Sequence, residues 1–213
     1  MLELRNIAVD YADQPIISNL SLAVATKEIV SLVGPSGSGK TTLLRVIAGL
    51  EKPRTGSILI AGSDVSAVPT HQRGIGLVFQ DNQLFPHLTV EQNIAYPLRM
   101  RGLSKDAYLP QVEAMLQLIG LQQFGSRHVQ HLSGGEAKRV AVARSLIAQP
   151  SVLLLDEPLT GLDTELHDRL LHDIAALLRA RGTTVVHVTH DLREASTLSN
   201  SVVDIREIGA TCK

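Results

Sequence analysis

Blocks of apolar and polar residues alternate along the chain, and their periods predict strands and helices in turn. Short apolar runs, or alternation with a period of two, indicate strands, whereas a repeat of about 3.6 residues indicates a helix. In the first third of the chain a helix is predicted over residues 40–50, directly after a glycine-rich loop. The strands predicted in this part cover residues 2–11, 17–26, 27–34, 56–65 and 74–81.

The middle of the chain, from Thr89 to Phe124, has a mostly helical pattern. Residues 104–120 begin with a serine, which is a common N-cap, and end with a glycine, which is a common stop for a helix. The apolar positions between them recur at roughly 3.6 spacing. They predict one buried face, formed by Leu109, Val112, Met115, Leu116 and Ile119.

Strands and helices alternate again in the last third of the chain. The predicted helices cover residues 134–150, 163–182 and 191–199, and the predicted strands cover 151–158, 183–190 and 201–207. Helices that join short apolar strands are typical of a parallel sheet covered on both faces. The pattern therefore predicts an α/β core into which the helical middle is inserted.

Composition and charge exclude several classes of function. The 213 residues suit one large domain, or a domain with a small subdomain, and the net charge of −1 gives no general affinity for nucleic acid. The single cysteine, Cys212, allows no intrachain disulfide, which fits a reducing compartment. Charges near the N-terminus argue against secretion, and no run approaches the ~18 apolar residues of a membrane span. A membrane role would have to come through a partner.

The segment GPSGSGKT, residues 34–41, fits the pattern G-x-x-x-x-G-K-[ST] between a predicted strand and a predicted helix. Glycines let successive backbone N–H groups point at a phosphate, and the helix N-terminus adds its positive end. We expect Lys40 to reach the β- and γ-phosphates and the Thr41 hydroxyl to bind Mg²⁺. A glycine-rich turn with an exposed lysine is the alternative, but the strand–loop–helix setting favours nucleotide binding.

Two acidic residues end the predicted strand over 151–158. Asp156 lies at the carboxyl end of an apolar run, where ligands bind in parallel sheets, and its carboxylate is suited to Mg²⁺. Glu157 follows directly and is suited to polarise an attacking water as a general base. In isolation the pair would be two solvated acids at a strand end, but the glycine loop upstream favours the catalytic interpretation.

A second helix start resembles the first in its chemistry. Ser133, Gly134 and Gly135 precede a predicted helix, whose unpaired N–H groups would offer a second anion site. A plain N-cap followed by two glycines explains the local sequence equally well. The chain thus has two candidate phosphate-binding helix ends but one complete glycine loop.

Six motifs, in this order and spacing, resemble the nucleotide-binding subunit of an ABC transporter over essentially the whole chain: residues 34–41, Gln80, LSGGE at 132–136, LLLDEP at 153–158, GLD at 161–163, and His190. The resemblance implies a P-loop NTPase core with a parallel sheet flanked by helices. It also implies an N-terminal antiparallel β subdomain and a helical insertion that carries the LSGGE motif. The whole chain, residues 1–213, would be one domain, with the core at about 1–88 and 150–213 and the helical subdomain at about 89–149.

The resemblance also implies roles for individual residues. Tyr11 would stack on adenine, although an ordinary strand tyrosine is the alternative. Gln80 would contact Mg²⁺ and the attacking water, Asp163 would communicate across a dimer, and His190 would contact the γ-phosphate. The implied catalytic residues are Glu157, His190, Gln80 and Lys40, and the implied metal ligands are Thr41, Gln80 and Asp156. The implied ATP-binding residues are Tyr11, Gly34, Pro35, Ser36, Gly37, Ser38, Gly39, Lys40, Thr41, Thr42, Ser133, Gly134, Gly135, Glu136 and Asp163. The remaining seven histidines are expected to be structural.

In such proteins two subunits face head to tail, and the SGG helix end of each closes over the ATP on the other. That arrangement would explain why this chain has two phosphate-binding helix ends. Two departures from the family pattern stand out: Glu136 replaces the usual glutamine, and the turn before Asp163 is TGLD. A glutamate loses the amide donor and adds negative charge, so we expect slightly weaker closure. The complete set of Lys40, Asp156, Glu157 and His190 argues against an inactive relative.

Residues 76–102 most resemble bacterial importer subunits for iron, thiamine, polyamine, molybdate, sulfate or sugar uptake. The expected function is ATP hydrolysis at a dimer interface that powers import of a small solute. The expected partners are integral membrane subunits and, indirectly, a substrate-binding protein, at the cytoplasmic face of the inner membrane. Apolar Leu84, Phe85 and Leu88 would form a groove for the membrane subunit or pack within the helical insertion.

Other functions fit the motifs less well. An exporter or lipoprotein-release ATPase is the main alternative. DNA-repair and chromosome-maintenance relatives need a long coiled coil, for which the roughly 90 residues between Thr41 and Leu132 leave no room. A translation factor would normally have two such domains, and a small-molecule kinase would not explain LSGGE or His190. Because the sequence ends shortly after His190, a regulatory domain of the kind many importers carry is expected to be absent or to lie outside it.

Overall fold

The computed structural model describes residues 1–11, 14–161 and 164–209. Its strands are β1 (Leu2–Tyr11), β2 (Gln14–Val24), β3 (Ile29–Val33), β4 (Thr55–Ile60), β5 (Ser63–Asp64), β6 (Ile75–Val78), β7 (Val152–Asp156), β8 (Thr184–Val188) and β9 (Ser201–Asp204). Its α-helices are α1 (Lys40–Ala48), α2 (Val90–Met100), α3 (Lys105–Leu118), α4 (Gly134–Ile147), α5 (Thr164–Arg181), α6 (Leu192–Leu198) and α7 (Ile205–Ile208).

An antiparallel sheet contains the N-terminal strands in the order β2-β1-β4-β5. Its register pairs Leu2 with Val24 and Leu4 with Leu22, which brings alternate apolar residues of both strands into the core. The register of β1 with β4 shifts between Arg5 and Ala8, and Gly56 lies opposite this shift. A Cβ on Gly56 would lie 2.6 Å from the Arg5 carbonyl oxygen, so no side chain fits there. This sheet fits the predicted antiparallel β subdomain.

A second sheet has the order β6-β7-β8-β3-β9, and the pairs β7–β8, β8–β3 and β3–β9 are parallel. Every residue of β3, β7 and β8 is buried. Strands covered on both faces carry continuous apolar runs instead of alternation, which is why these three were recognisable from the sequence. The predicted parallel sheet with helices in an α/β fold is therefore confirmed.

Several element boundaries differ from the prediction. The strand predicted over 56–65 is two strands, because Ala61 and Gly62 adopt positive φ angles of 50° and 82° and form a turn. The strand predicted over 201–207 ends at Asp204, whose side chain accepts a hydrogen bond from the Arg206 amide and so starts helix α7. In α3, four of the five residues of the predicted apolar face are buried, and Leu109 is half-buried.

The chain forms two compact units. The first unit comprises Met1–Leu77, Ser151–Glu157 and the described part of Gly182–Lys213, and it holds both sheets with α1, α6 and α7. The second unit comprises Val78–Pro150 and Pro158–Arg181 and holds α2 to α5. Helix α5 thus groups with the other long helices, whereas the predicted division assigned it to the core. Across the described residues, no helix is both long and apolar enough to span a membrane.

Candidate functional site

The glycine-rich loop connects β3 to α1 in the first unit. Gly34, Gly37 and Gly39 have φ angles of 153°, 80° and 87°, a region that residues with a side chain rarely adopt. A Cβ on Gly34 would lie 2.9 Å from Ile205, and a Cβ on Gly39 would lie 2.9 Å from Ile16. Among the described residues, no atom lies within 4 Å of the corresponding position at Gly37. The outer two glycines therefore let the loop pack closely, and the middle one leaves its surface open.

Lys40 is the first residue of α1, and its side chain is held inside the loop. Its Nζ donates hydrogen bonds to the carbonyl oxygens of Gly34 and Pro35, each at 2.8 Å. Burial lowers the pKa of Lys40, while nearby carboxylates, that of Glu157 most strongly, act in the opposite direction. The ammonium group is thus held over the loop by the loop's own carbonyls.

Thr41 and Asp156 come together although 115 positions separate them. The Thr41 hydroxyl donates a hydrogen bond of 3.0 Å to Oδ1 of Asp156. Burial raises the pKa of Asp156, and the hydrogen bond from Thr41 partly offsets that effect. A hydroxyl and a carboxylate are the oxygen ligands that Mg²⁺ prefers when phosphates and water complete its shell. This pair therefore fits the predicted magnesium site.

Glu157 and His190 meet beyond the carboxyl ends of β7 and β8. Glu157 has a φ of 43°, which is uncommon for a residue with a side chain, and its amide donates to the Val188 carbonyl at 3.0 Å. His190 Nδ1 lies 3.2 Å from Oε1 of Glu157, and the histidine side chain is 60% exposed. The backbone turn at Glu157 thus directs a carboxylate and an exposed imidazole toward each other.

The N-terminus of α4 forms a capping box. The Ser133 hydroxyl accepts from the Glu136 amide at 3.3 Å, and the Glu136 carboxylate accepts from the Ser133 amide at 2.7 Å. Glutamate and glutamine perform this role equally well. The capping box therefore does not distinguish Glu136 from the usual glutamine, but it engages the Glu136 carboxylate within its own helix turn.

The segment after β6 carries Gln80, which is exposed, and is supported from two sides within the second unit. Asn93 is wholly buried; it accepts a hydrogen bond from the Phe85 amide at 2.9 Å and donates to the Phe85 carbonyl at 3.1 Å. Arg144 donates to the backbone carbonyls of residues 82–83. Sequence reasoning did not single out these two supports, since neither belongs to a recognisable motif.

The apolar residues Leu84, Phe85 and Leu88 are all half-buried. The ring of Phe85 packs against Tyr96, with 4.4 Å between ring centroids, and the Arg144 guanidinium lies 5.2 Å from its centre. Phe85 thus packs against α2 and α4, in line with the expectation that it packs within the helical insertion. A groove for a membrane subunit stays a prediction.

The structure brings together Lys40, Thr41, Asp156, Glu157 and His190 in the first unit. Gln80 and the residues from Ser133 to Glu136 belong to the second unit. Asp163 lies outside the described residues, and so does the side chain of Tyr11, the last residue of β1. Of the other loop residues, Pro35 and Ser36 are exposed, Thr42 is half-buried, and the buried Ser38 hydroxyl has no hydrogen-bond partner among the described residues.

Sequence comparison identifies the family to which these residues belong. The sequence pattern described as "ABC transporter" matches residues 17–160. The chain belongs to the ABC transporter family. The predictions of family and fold class are therefore confirmed.

Individual relatives are similar over nearly the whole of this chain. The spermidine/putrescine import ATP-binding protein PotA of Spiroplasma citri is 45% identical over 95% of this chain and 58% of its own length. The Fe(3+) ions import ATP-binding protein FbpC of Streptomyces coelicolor is 45% identical over 97% of this chain and 60% of its own length. The chain therefore spans somewhat less than two thirds of the curated relatives it matches.

A solved structure supports the same assignment. The ATP-binding cassette MJ0796, in a dimeric post-hydrolysis state bound to ADP and Pi, has a TM-score of 0.82 and 30% sequence identity to this chain. The match covers 96% of this chain and 95% of that one.

Proposed function

We propose that this chain is the ATP-binding and ATP-hydrolysing subunit of a bacterial importer. The observation that carries the proposal is the convergence of Lys40, Thr41, Asp156, Glu157 and His190 at the start of α1 and the ends of β7 and β8. A cation, a metal-binding pair and a carboxylate with a histidine partner are the groups that phosphoryl transfer to water requires. The names of the import ATP-binding relatives support the assignment to import.

The geometry supports the following catalytic roles. When ATP binds, Lys40 exchanges its two loop carbonyls for the β- and γ-phosphates, and the open surface at Gly37 lets the backbone amides approach them. Glu157 accepts a proton from the attacking water, because its carboxylate lies beyond the end of β7 beside His190. His190, within reach of Glu157, orients that carboxylate and contacts the γ-phosphate. Thr41 and Asp156, with Gln80, would hold Mg²⁺, which would supply charge neutralisation at the phosphates.

The active form is a head-to-tail dimer in which each subunit completes the site of the other. Ser133, Gly134 and Gly135 of a second copy close over the nucleotide, Asp163 communicates across the interface, and Tyr11 stacks on adenine. A similar cassette solved as a dimer with ADP and Pi supports this arrangement. Residues 1–213 act as one ATPase domain within it.

The energy of hydrolysis drives a small solute through a separate membrane protein. Relatives named for spermidine, putrescine and Fe(3+) import support uptake of a small solute. The partners are integral membrane subunits that contact the segment after Gln80, with a substrate-binding protein acting through them. The subunit lies at the cytoplasmic face of the inner membrane as a peripheral protein. Co-purification of a membrane protein, followed by uptake assays in vesicles, tests these partners.

The variant Glu157→Gln tests the chemistry. We expect it to bind ATP with an affinity close to wild type and to lose nearly all turnover, so that an ATP-bound dimer accumulates in size-exclusion chromatography. Glu113→Gln, which changes an exposed glutamate on α3, is the matched control and should leave both properties unchanged. Substantial turnover by Glu157→Gln would remove Glu157 as the general base.

A further inference from the structure

A chain of buried polar side chains runs beneath the candidate site within the first unit. It joins Ser31 of β3, His187 of β8, Glu194 of α6 and Thr189 of the loop between β8 and α6, none of which exceeds 4% exposure. The Ser31 hydroxyl lies 2.9 Å from His187 Nδ1, and His187 Nε2 lies 3.3 Å from Oε1 of Glu194. Burying polar groups is unfavourable unless they are paired. The contacts among these four side chains supply that pairing.

Thr189 is the member nearest to His190, and its hydroxyl makes two hydrogen bonds. It donates to Oε2 of Glu194 and accepts from the Asp191 amide at 3.1 Å. Its own amide donates to the Leu32 carbonyl at 3.2 Å, next to the residue that ends β3. Thr189 therefore fixes its own backbone and that of Asp191, the two residues that flank His190.

Glu194 is held from several directions. Its amide donates to Oδ1 of Asp191 at 3.4 Å, one carboxylate oxygen accepts from Thr189, and the other faces His187. A carboxylate with this many contacts has little rotamer freedom, so Thr189 has a rigid acceptor. The loop that carries His190 is thereby connected through Glu194 and His187 to β3, the strand that leads into the glycine loop.

We propose that Thr189 and Glu194 are positioning residues for His190. The His190 ring is 60% exposed and gains little orientation from packing, so the backbone on either side of it decides whether it reaches Glu157. The Thr189 hydroxyl and the Glu194 carboxylate fix that backbone. The inference rests on the proposed ATPase function, since the importance of His190 derives from it.

The test compares Thr189→Val, which keeps the shape of the side chain but removes the hydroxyl, with Thr189→Ser, which keeps the hydroxyl. We expect Thr189→Val to lower kcat for ATP hydrolysis about tenfold, because small displacements of catalytic groups have large effects. The KM for ATP should stay within about twofold of wild type, since no nucleotide contact is removed. Thr189→Ser should restore most of kcat, and Ser199→Ala, which removes another hydroxyl at the end of α6, is the matched control.

A second measurement needs no nucleotide. Hydrogen exchange of the Asp191 amide in the nucleotide-free protein should be faster in Thr189→Val than in wild type and Thr189→Ser, because the acceptor is lost. Should Thr189→Val not fold, Glu194→Asp, which withdraws the carboxylate by one methylene, should give the same split between kcat and KM.

The proposal is overturned if Thr189→Val keeps wild-type kcat, or if Thr189→Ser is as impaired as Thr189→Val. It is also overturned if kcat and KM change together in both Thr189→Val and Glu194→Asp. A wild-type protein that fails to hydrolyse ATP with Mg²⁺ would instead contradict the proposed function. In that case the exchange rate of the Asp191 amide still decides whether Thr189 fixes the backbone beside His190.

Discussion

The starts of helices α1 and α4 both follow glycine-containing segments that suggest anion binding, but the structure gives them different properties. At α1 the N-cap residue is Gly39, no side chain caps the helix, and no acidic residue lies in its first turn. At α4 the Ser133 hydroxyl and the Glu136 carboxylate occupy the first turn as a capping box. We therefore expect the uncapped start of α1, with its buried lysine, to attract phosphate, whereas α4 already satisfies two donors itself.

This difference teaches that a glycine-rich helix start is not sufficient for a complete anion site. The start of α1 has no side-chain cap and has Lys40 beside it, so we expect it to bind phosphate within one chain. The start of α4 has a structural cap and a negative charge of its own, so in the proposed dimer any contact with a nucleotide of the second subunit would come from the remaining amides. Four experiments test the comparison, beginning with the largest expected effect.

Replacing the Lys40 ammonium should remove most of the affinity for phosphate that we expect at the start of α1. In Lys40→Met we expect kcat/KM for ATP hydrolysis to fall by on the order of 100-fold or more, because a charge-assisted contact to the developing phosphate charge is lost. Lys105→Met is the matched control, since Lys105 is also the first residue of a helix, α3, and is exposed. Steady-state hydrolysis and nucleotide titration check the result. Near-wild-type binding and turnover in Lys40→Met would remove the glycine loop as the phosphate site.

Two alanine variants distinguish the closely packed glycine of the loop, Gly39, from the exposed one, Gly37. Gly39→Ala introduces a Cβ against Ile16 at a positive φ, and we expect it to lower the free energy of unfolding by about 2 kcal/mol. Gly37 has a similar φ but no neighbour within 4 Å in the described part of the chain, so Gly37→Ala should cost only about 1 kcal/mol. Urea unfolding of the nucleotide-free protein measures both. Equal losses would show that close packing at Gly39 has no role.

The capping box can be removed or kept by changing one residue. Glu136→Ala breaks the bond to the Ser133 amide and should lower the free energy of unfolding by about 1 kcal/mol. Glu136→Gln keeps the box, so its stability should match wild type, while the loss of negative charge should raise ATP-dependent dimerisation modestly. Urea unfolding and size-exclusion chromatography with ATP distinguish the two. If both variants lose the same stability, Glu136 acts through its charge and not through the box.

The smallest expected effect concerns a charge near the glycine loop. Hydrogen bonds from Arg206 lower the pKa of Asp204 to about 2, below its ordinary value of 3.8. Because the pKa of the folded state is depressed, Asp204 contributes stability above pH 3.8 that is lost as the pH falls through about 2. Asp204→Asn should therefore be slightly less stable than wild type near neutral pH, and the difference should shrink below pH 3.8. Asp173→Asn, on the exposed side of α5, is the control in urea unfolding between pH 3 and 7; a difference independent of pH would contradict this account.

Local patterns predicted the parts of the site that lie close together along the chain. The glycine loop, the apolar run before Asp156 and the helix after Ser133 each depend on a few neighbouring residues, and all three have the predicted local structure. The division of 56–65 into two strands was missed, because it depends on the backbone angles of Ala61 and Gly62. The capping box was also missed, although Ser133 and Glu136 have the spacing that indicates one.

Contacts between residues far apart in the sequence could not be predicted from local patterns, for a physical reason. Ser31 and His187 interrupt apolar strands, and nothing in either strand reveals that parallel pairing places them directly opposite each other. Thr41 and Asp156 were each expected to bind Mg²⁺ from their residue types, whereas the role of His190 beside Glu157 was expected from family resemblance. Neither pair is revealed by spacing, because its members are far apart in the sequence.

The sequence by itself determined that this chain has an α/β core, a P-loop pattern and the motifs of an ABC transporter subunit, because these depend on periodicity and on short runs of residue types. Only the tertiary structure decided that Thr41 meets Asp156, that Glu157 meets His190, and that the Thr189–Glu194 pair is joined through His187 to Ser31. Those properties arise from hydrogen bonds whose partners meet only after the strands pair, and from burial that makes each unpaired polar group unfavourable.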